Sequence, residues 1–129
     1  MSQFLLDTHV LLWAAADSPR LVPGTRDLLT GPGHEIVFSV VNLWEIVIKN
    51  GLGRQDFRVD PDRLRGGALQ AGFRELPVRG LHVLGVAALP LLHADPFDRM
   101  LLSQATAEQM ILLTADKAVL AYGEPAQQA

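Results

Sequence analysis

EIVFSVVNLWEIVIKNG, residues 35–51, sets a strand pattern directly against a helix pattern. Glu35–Phe38 is short and carries β-branched and aromatic side chains, which reads as a strand. Ser39 follows as an N-cap, its hydroxyl suited to the orphan amides of a helix start. Val40–Asn50 then runs as a helix closed by Gly51. The same order recurs on either side. Phe4-Leu5-Leu6 stops at Asp7, and His9–Ala16 is helical; Arg26–Thr30 is a short helix between Pro23-Gly24 and Gly31-Pro32. Downstream, a helix over Pro61–Ala71 precedes a strand around Arg74–Pro77, and Leu81–Leu89 suggests another helix. Asp95-Pro96 opens a helix running to about Glu108, Met110–Leu113 is a buried strand, and Asp116–Tyr122 is the last helix. Alternating strands and helices predict an α/β fold, a parallel sheet covered on both faces. Glu124–Ala129 reads as a loose tail, so one domain is expected over residues 1–123, with 124–129 outside it.

The chain's 129 residues suffice for one core and no more. With no cysteine, disulfides and thiolate metal sites are excluded, which suits a reducing cytoplasm. The run Leu11–Ala16 imitates a signal peptide only superficially, because no basic residue precedes it and Asp7 and His9 interrupt the approach. Leu81–Leu92 is broken by Gly85 and Pro90 and is shorter than the roughly 18 residues of a membrane helix, so no membrane association is expected. Net charge is −3, unpromising for a nucleic-acid partner, but its distribution is uneven. Lys49–Arg79 holds seven of the eleven basic residues and is +3, leaving −6 on the remainder. Arginine grips phosphate with two parallel donors, so Lys49, Arg54, Arg58, Arg63 and Arg65 are candidate RNA contacts; a solvated surface explains them equally well.

Parallel strands end at one edge of their sheet, and ligands bind in the crevice outside those carboxyl ends. Asp7 follows the first strand and Asp116 follows Met110–Leu113, so both belong at that edge. Asp98 sits at the start of the helix leading into the latter strand, and Glu45 in the helix that follows Glu35–Phe38. Helix capping is the ordinary alternative for each aspartate, and Asp95, with Pro96 at N1 and Asp98 at N3, reads as a cap. Glu45 fits that explanation least. Apolar residues surround most of its helix, so the helix is expected to be largely buried, and only Asn42, Glu45 and Lys49 share a polar stripe, either a surface ion pair or the wall of a polar cleft. Carboxylates converging on one cleft repel and require a cation. An all-oxygen set with no cysteine and no paired-histidine spacing favours Mg²⁺ or Mn²⁺ over Zn²⁺, the cations that serve phosphodiester cleavage. His9, His34, His82 and His93 are scattered, and only His93 lies near these acids in sequence.

Four blocks carry a resemblance: LLDTHVLLW (5–13), SVVNLWEIVIKNGLGR (39–54), HADPFDRMLLSQA (93–105) and LLTADKAV (112–119). Together, from Phe4 to about Ala121, they resemble a PIN domain of the VapC toxin type in order and spacing. The resemblance implies a three-layer α/β/α fold on a central, mostly parallel sheet. It also implies a Mg²⁺- or Mn²⁺-dependent ribonuclease, a homodimer, and neutralisation by a cognate VapB-type antitoxin. By motif position the catalytic and metal-binding acids would be Asp7, Glu45, Asp98 and Asp116, with Thr8, Asn42 and Thr114 as supporting residues. Members commonly end in one more short strand, which Glu124–Ala129 does not resemble. Two rivals remain: a housekeeping PIN nuclease of RNA maturation or DNA repair, and a non-catalytic module binding RNA or protein. A dehalogenase-type phosphatase needs a second aspartate two residues after the first, where this chain has His9.

Overall fold

The computed structural model describes residues 2–53 and 58–129. In chain order the elements are β1 (Ser2–Leu6), α1 (Thr8–Ala15), α2 (Pro23–Thr30), β2 (His34–Ser39), α3 (Val40–Gly51), α4 (Pro61–Gln70) and β3 (Arg74–Leu76). There follow α5 (Gly80–Gly85), a 3₁₀ turn (Val86–Ala88), α6 (Pro96–Glu108), β4 (Ile111–Thr114), α7 (Lys117–Leu120) and β5 (Ala126–Gln128). All five strands are parallel, in the order β3-β2-β1-β4-β5. The chain winds outward from β1 through β2 to β3, then returns to place β4 on the other side of β1. The switch point therefore lies between β1 and β4.

Successive strand residues face opposite sides of a sheet, and the strands separate two cores accordingly. Phe4 and Leu6 of β1, Ile36 and Phe38 of β2 and Leu113 of β4 point to one side, where they meet Val10, Leu11, Ile46, Leu64 and Ala68. Leu5, Val37 and Leu112 point to the other and meet Val41, Leu101, Leu102, Ala105 and Val119. Helices thus cover both faces, giving the three-layer α/β/α arrangement expected from the alternation of elements.

Four local readings need correction. Residues 126–128, read as loose tail, form β5 in register with Leu112–Thr114 of β4, and the Ala129 amide donates to the Thr114 carbonyl at 2.8 Å. Helix α2 begins at Pro23 rather than Arg26, since proline lacks only an amide that a first helical turn leaves unpaired. The helix expected over Leu81–Leu89 splits into α5 and the 3₁₀ turn just after Gly85. Helix α3 is not wrapped in core: Trp44 and Val47 are each 52% exposed, while Asn42 and Glu45 are buried. Its polar stripe faces inward because that is where its hydrogen-bond partners lie, and Trp44 packs edge-on against Phe97 of α6 instead.

Helices α5 and α6 pack closely through a polar seam. A Cβ built on Gly85 would lie 2.5 Å from the Ser103 hydroxyl, which itself donates to the His82 carbonyl. His82 is fully buried; its Nδ1 accepts from the Arg79 amide at 3.0 Å and its Nε2 meets Glu108 at 2.8 Å.

Candidate metal centre

The switch-point edge gathers the acids. Asp7 is the first residue after β1, where its Oδ1 accepts from the Val10 amide at 2.8 Å and caps α1. Its Oδ2 accepts from the Thr114 hydroxyl at the end of β4. The same hydroxyl accepts from the Asp116 amide at 3.0 Å, so Thr114 ties the first acid to the fourth. Asp116 caps α7 through Oδ1 on the Ala118 amide, at 2.9 Å. Capping and site placement, posed as alternatives for these aspartates, coexist because a carboxylate has about four lone-pair sites and a cap uses one.

Glu45 reaches the same place from α3. Ser39 caps that helix through a reciprocal pair in which Asn42 Oδ1 accepts from the Ser39 amide at 2.7 Å. This fixes the Asn42 amide so that its nitrogen donates to the Leu6 carbonyl (3.3 Å) and to Thr8 Oγ1 (3.0 Å). Thr8 in turn donates to Glu45 Oε1 at 2.7 Å, while Lys49 meets Oε2. Both explanations of the α3 stripe therefore hold: Glu45 and Lys49 form an i,i+4 ion pair, and the pair lines a cleft.

Asp98 stands at N3 of α6, whose cap is Asp95, with Oδ1 accepting from the amides of Phe97 and Asp98. Its Oδ2 lies 2.8 Å from His93 Nε2. Asp7, Thr8, Glu45, Asp98 and Asp116 line a cleft of about 90 Å³, joined by His9, Lys49, His93 and Asp95. Exposure increases along the series, from buried Asp7 and Glu45 through half-buried Asp98 to exposed Asp116. Burial pushes the Asp7 carboxyl above the ordinary range, against the lowering effect of Thr114 and Val10. Burial likewise raises Asp98 to about 6, opposed by its hydrogen bond to His93 and reinforced by the charges of Asp95 and Glu45. Two carboxyls held short of easy ionisation among other carboxylates are a donor set that fits a hard divalent cation.

The basic candidates are dispersed. Among the described candidates Lys49 alone lines the cleft; Arg58 and Arg63 border a larger apolar groove of about 650 Å³ between α1 and α4, which contains none of the four acids. Arg65 forks onto Glu75 through Nε and Nη2. Arg54 lies outside the described residues. His93 and His9 are the cleft residues that spacing alone left unassigned. For His93 the available signal was its place two residues before the Asp95 cap.

A family model of the PIN domain matches residues 4–124. The chain belongs to the PIN-domain family. No curated protein sequence matches it significantly. Among solved structures, this PIN domain is similar to a chain of VapBC2 from Rickettsia felis bound to a promoter DNA fragment, with TM-score 0.70 and 14% identity, covering 98% of each chain. It is also similar to a toxin–antitoxin complex from Klebsiella pneumoniae, with TM-score 0.66 and 18% identity over 96% of this chain and 95% of that one. DNA-bound VapBC from Salmonella typhimurium gives TM-score 0.66 at 14% identity, over 100% and 98% of the two chains. These likenesses establish the shared fold. Among the described residues of this PIN domain no helix is long and apolar enough to cross a membrane.

Proposed function

We propose that this PIN domain is a divalent-metal-dependent endoribonuclease, the toxin of a VapBC-type toxin–antitoxin pair acting in the cytoplasm. The observation that carries the proposal is the meeting of Asp7, Glu45, Asp98 and Asp116 at one small cleft on the switch-point edge. Asp7, Glu45 and Asp98 would hold Mg²⁺ or Mn²⁺, with Asp116 completing the set or serving a second cation. When bound, such a cation supplies Lewis-acid charge for the phosphate oxygens and lowers the pKa of water. The protein's own part is positioning. Thr114 holds one oxygen of Asp7 and Thr8 one oxygen of Glu45, so neither buried carboxylate rotates freely. Lys49 supplies a counter-charge to Glu45 in the absence of a cation. Lys49, Arg54, Arg58, Arg63 and Arg65 are proposed to hold flanking phosphates of the RNA.

The proposed partner is a VapB-type antitoxin whose basic side chain enters the cleft and compensates the carboxylates in place of the cation. The likeness to chains of VapBC complexes supports this. A homodimer is proposed as well, supported by the exposed apolar stripe Trp44, Val47 and Ile48 on α3. Expression of the chain alone should arrest growth, Asp98→Asn should not, and co-expression of an adjacent antitoxin gene should restore growth. Purified protein should cleave RNA with Mg²⁺ or Mn²⁺ and stop in EDTA. Undiminished cleavage in EDTA would sink the metal mechanism. Harmless expression of a protein that cleaves RNA in vitro would transfer the assignment to a housekeeping nuclease.

A further inference from the structure

His93 belongs to no helix or strand, yet its backbone is held from several directions. Its amide donates to the Tyr122 hydroxyl at 3.1 Å, and its carbonyl accepts from Arg99 Nη1 at 3.5 Å. Arg99 is itself fixed, donating to the Tyr122 hydroxyl at 3.0 Å and to the carbonyls of Pro90 (3.1 Å) and Val86 (3.3 Å). The result is an imidazole delivered to the cleft wall by a braced loop, with Nε2 at 2.8 Å from Asp98 Oδ2. Ligand atoms of His93, Asp98 and Asp116 all lie within 4.8 Å of one another. Six-coordinate cations with bonds of about 2.1 Å place adjacent ligands about 3 Å apart and opposite ones about 4.2 Å apart. The His93–Asp98 separation is that of neighbours on one ion, and Asp116, within 4.8 Å of both, comes into range as a third donor by a small side-chain rotation.

We propose that His93 is a nitrogen ligand at the Asp98–Asp116 end of the cleft, giving the site a preference for Mn²⁺ over Mg²⁺. This rests on the metal site proposed above and narrows it. Imidazole suits transition-metal cations, whereas Mg²⁺ is served by carboxylate, carbonyl and water oxygens. Nε2 is hydrogen-bonded to Asp98 Oδ2; ligation through Nε2 would require that nitrogen unprotonated, with the ring proton on Nδ1, so that both side chains could offer lone pairs to the same ion.

The test is pulsed EPR of the Mn²⁺-loaded protein, prepared once with ordinary histidine and once with ¹⁵N-histidine. A nitrogen coupling that changes with the isotope is expected in the wild type and in His9→Gln, and its loss is expected in His93→Gln. By titration, His93→Gln should bind Mn²⁺ more weakly by more than the roughly 10-fold that loss of an outer-shell partner already costs, with Mg²⁺ affinity changed far less. His93→Asn, which keeps an N–H donor for Asp98, should fail to restore Mn²⁺ affinity. Mn²⁺ bound without histidine coupling, or affinity restored by His93→Asn, overturns the ligand role of His93 and leaves the carboxylate site standing. A wild-type protein that binds no Mn²⁺ removes both.

Discussion

Asp98 charges the folded protein with a cost that can be measured without any substrate. Without a cation, its carboxyl protonates at about 6 in the folded chain, against an ordinary value of 3.8. The folded state therefore keeps a proton that the unfolded state has already released. Asp98's contribution to stability is full below pH 4 and is lost as the pH rises through 6, by about 3 kcal/mol for a displacement of this size. The side chain is only 16% exposed, so solvent screening relieves little of this. Asp98→Asn removes the ionisation and retains a group that can bond to His93. In EDTA the variant should match the wild type near pH 4 and exceed it by about 3 kcal/mol at pH 7.5, or roughly 10 °C in Tm. Urea unfolding at a series of pH values reads the difference directly, and groups not coupled to Asp98, Asp7 among them, cancel in the subtraction. Mn²⁺ at about 100 times its Kd should then return about 2.7 kcal/mol to the wild type and nothing comparable to the variant. A gap independent of pH, or a variant weaker than the wild type at pH 7.5, would refute the reasoning.

Asp7→Asn keeps an oxygen for the Val10 amide, so it should fold, gain stability at neutral pH and lose most metal-dependent RNA cleavage; calorimetry and a cleavage assay on one preparation check all three. Gly85→Ala forces a methyl onto the Ser103 hydroxyl and should cost about 1–3 kcal/mol by chemical denaturation, part of it recovered in the Gly85→Ala/Ser103→Ala double variant. If Arg58 and Arg63 contact phosphates, replacing both with alanine should flatten the salt dependence of RNA binding by roughly 0.7 in log–log slope per lost contact. An unchanged slope returns them to the groove beside α1.

Where a local signal was strong, the sequence reading and the structure agree. Asp95-Pro96 fixes the start of α6, and Ser39 that of α3, because the capping chemistry is contained within four residues. Strand β5 was illegible for the opposite reason: Ala126–Gln128 has no apolar alternation and owes its conformation to the open edge of β4. The inward turn of Asn42 and Glu45 was half legible. Periodicity identified the stripe, but only the Leu6 carbonyl and Thr8, more than thirty residues away, decide which way it faces. His93 carried too little pattern to be assigned, since its position depends on Tyr122 and Arg99 closing around a loop.

The double duty of the capping aspartates has an evolutionary corollary. If the chain is the toxin proposed above, cells that escape it do so by mutation, and the surviving alleles record which substitutions the fold tolerates. At Asp7 and Asp116, alanine would remove a helix cap together with the site, at about 1 kcal/mol for each cap. Asparagine or serine removes the charge, and at Asp7 also the acceptor of the Thr114 hydroxyl, but keeps an oxygen for the first turn. Escape alleles that retain abundant, antitoxin-binding protein should therefore be enriched in Asp→Asn and Asp→Ser at these two positions. At Glu45, which caps nothing, survivors should sort by packing instead.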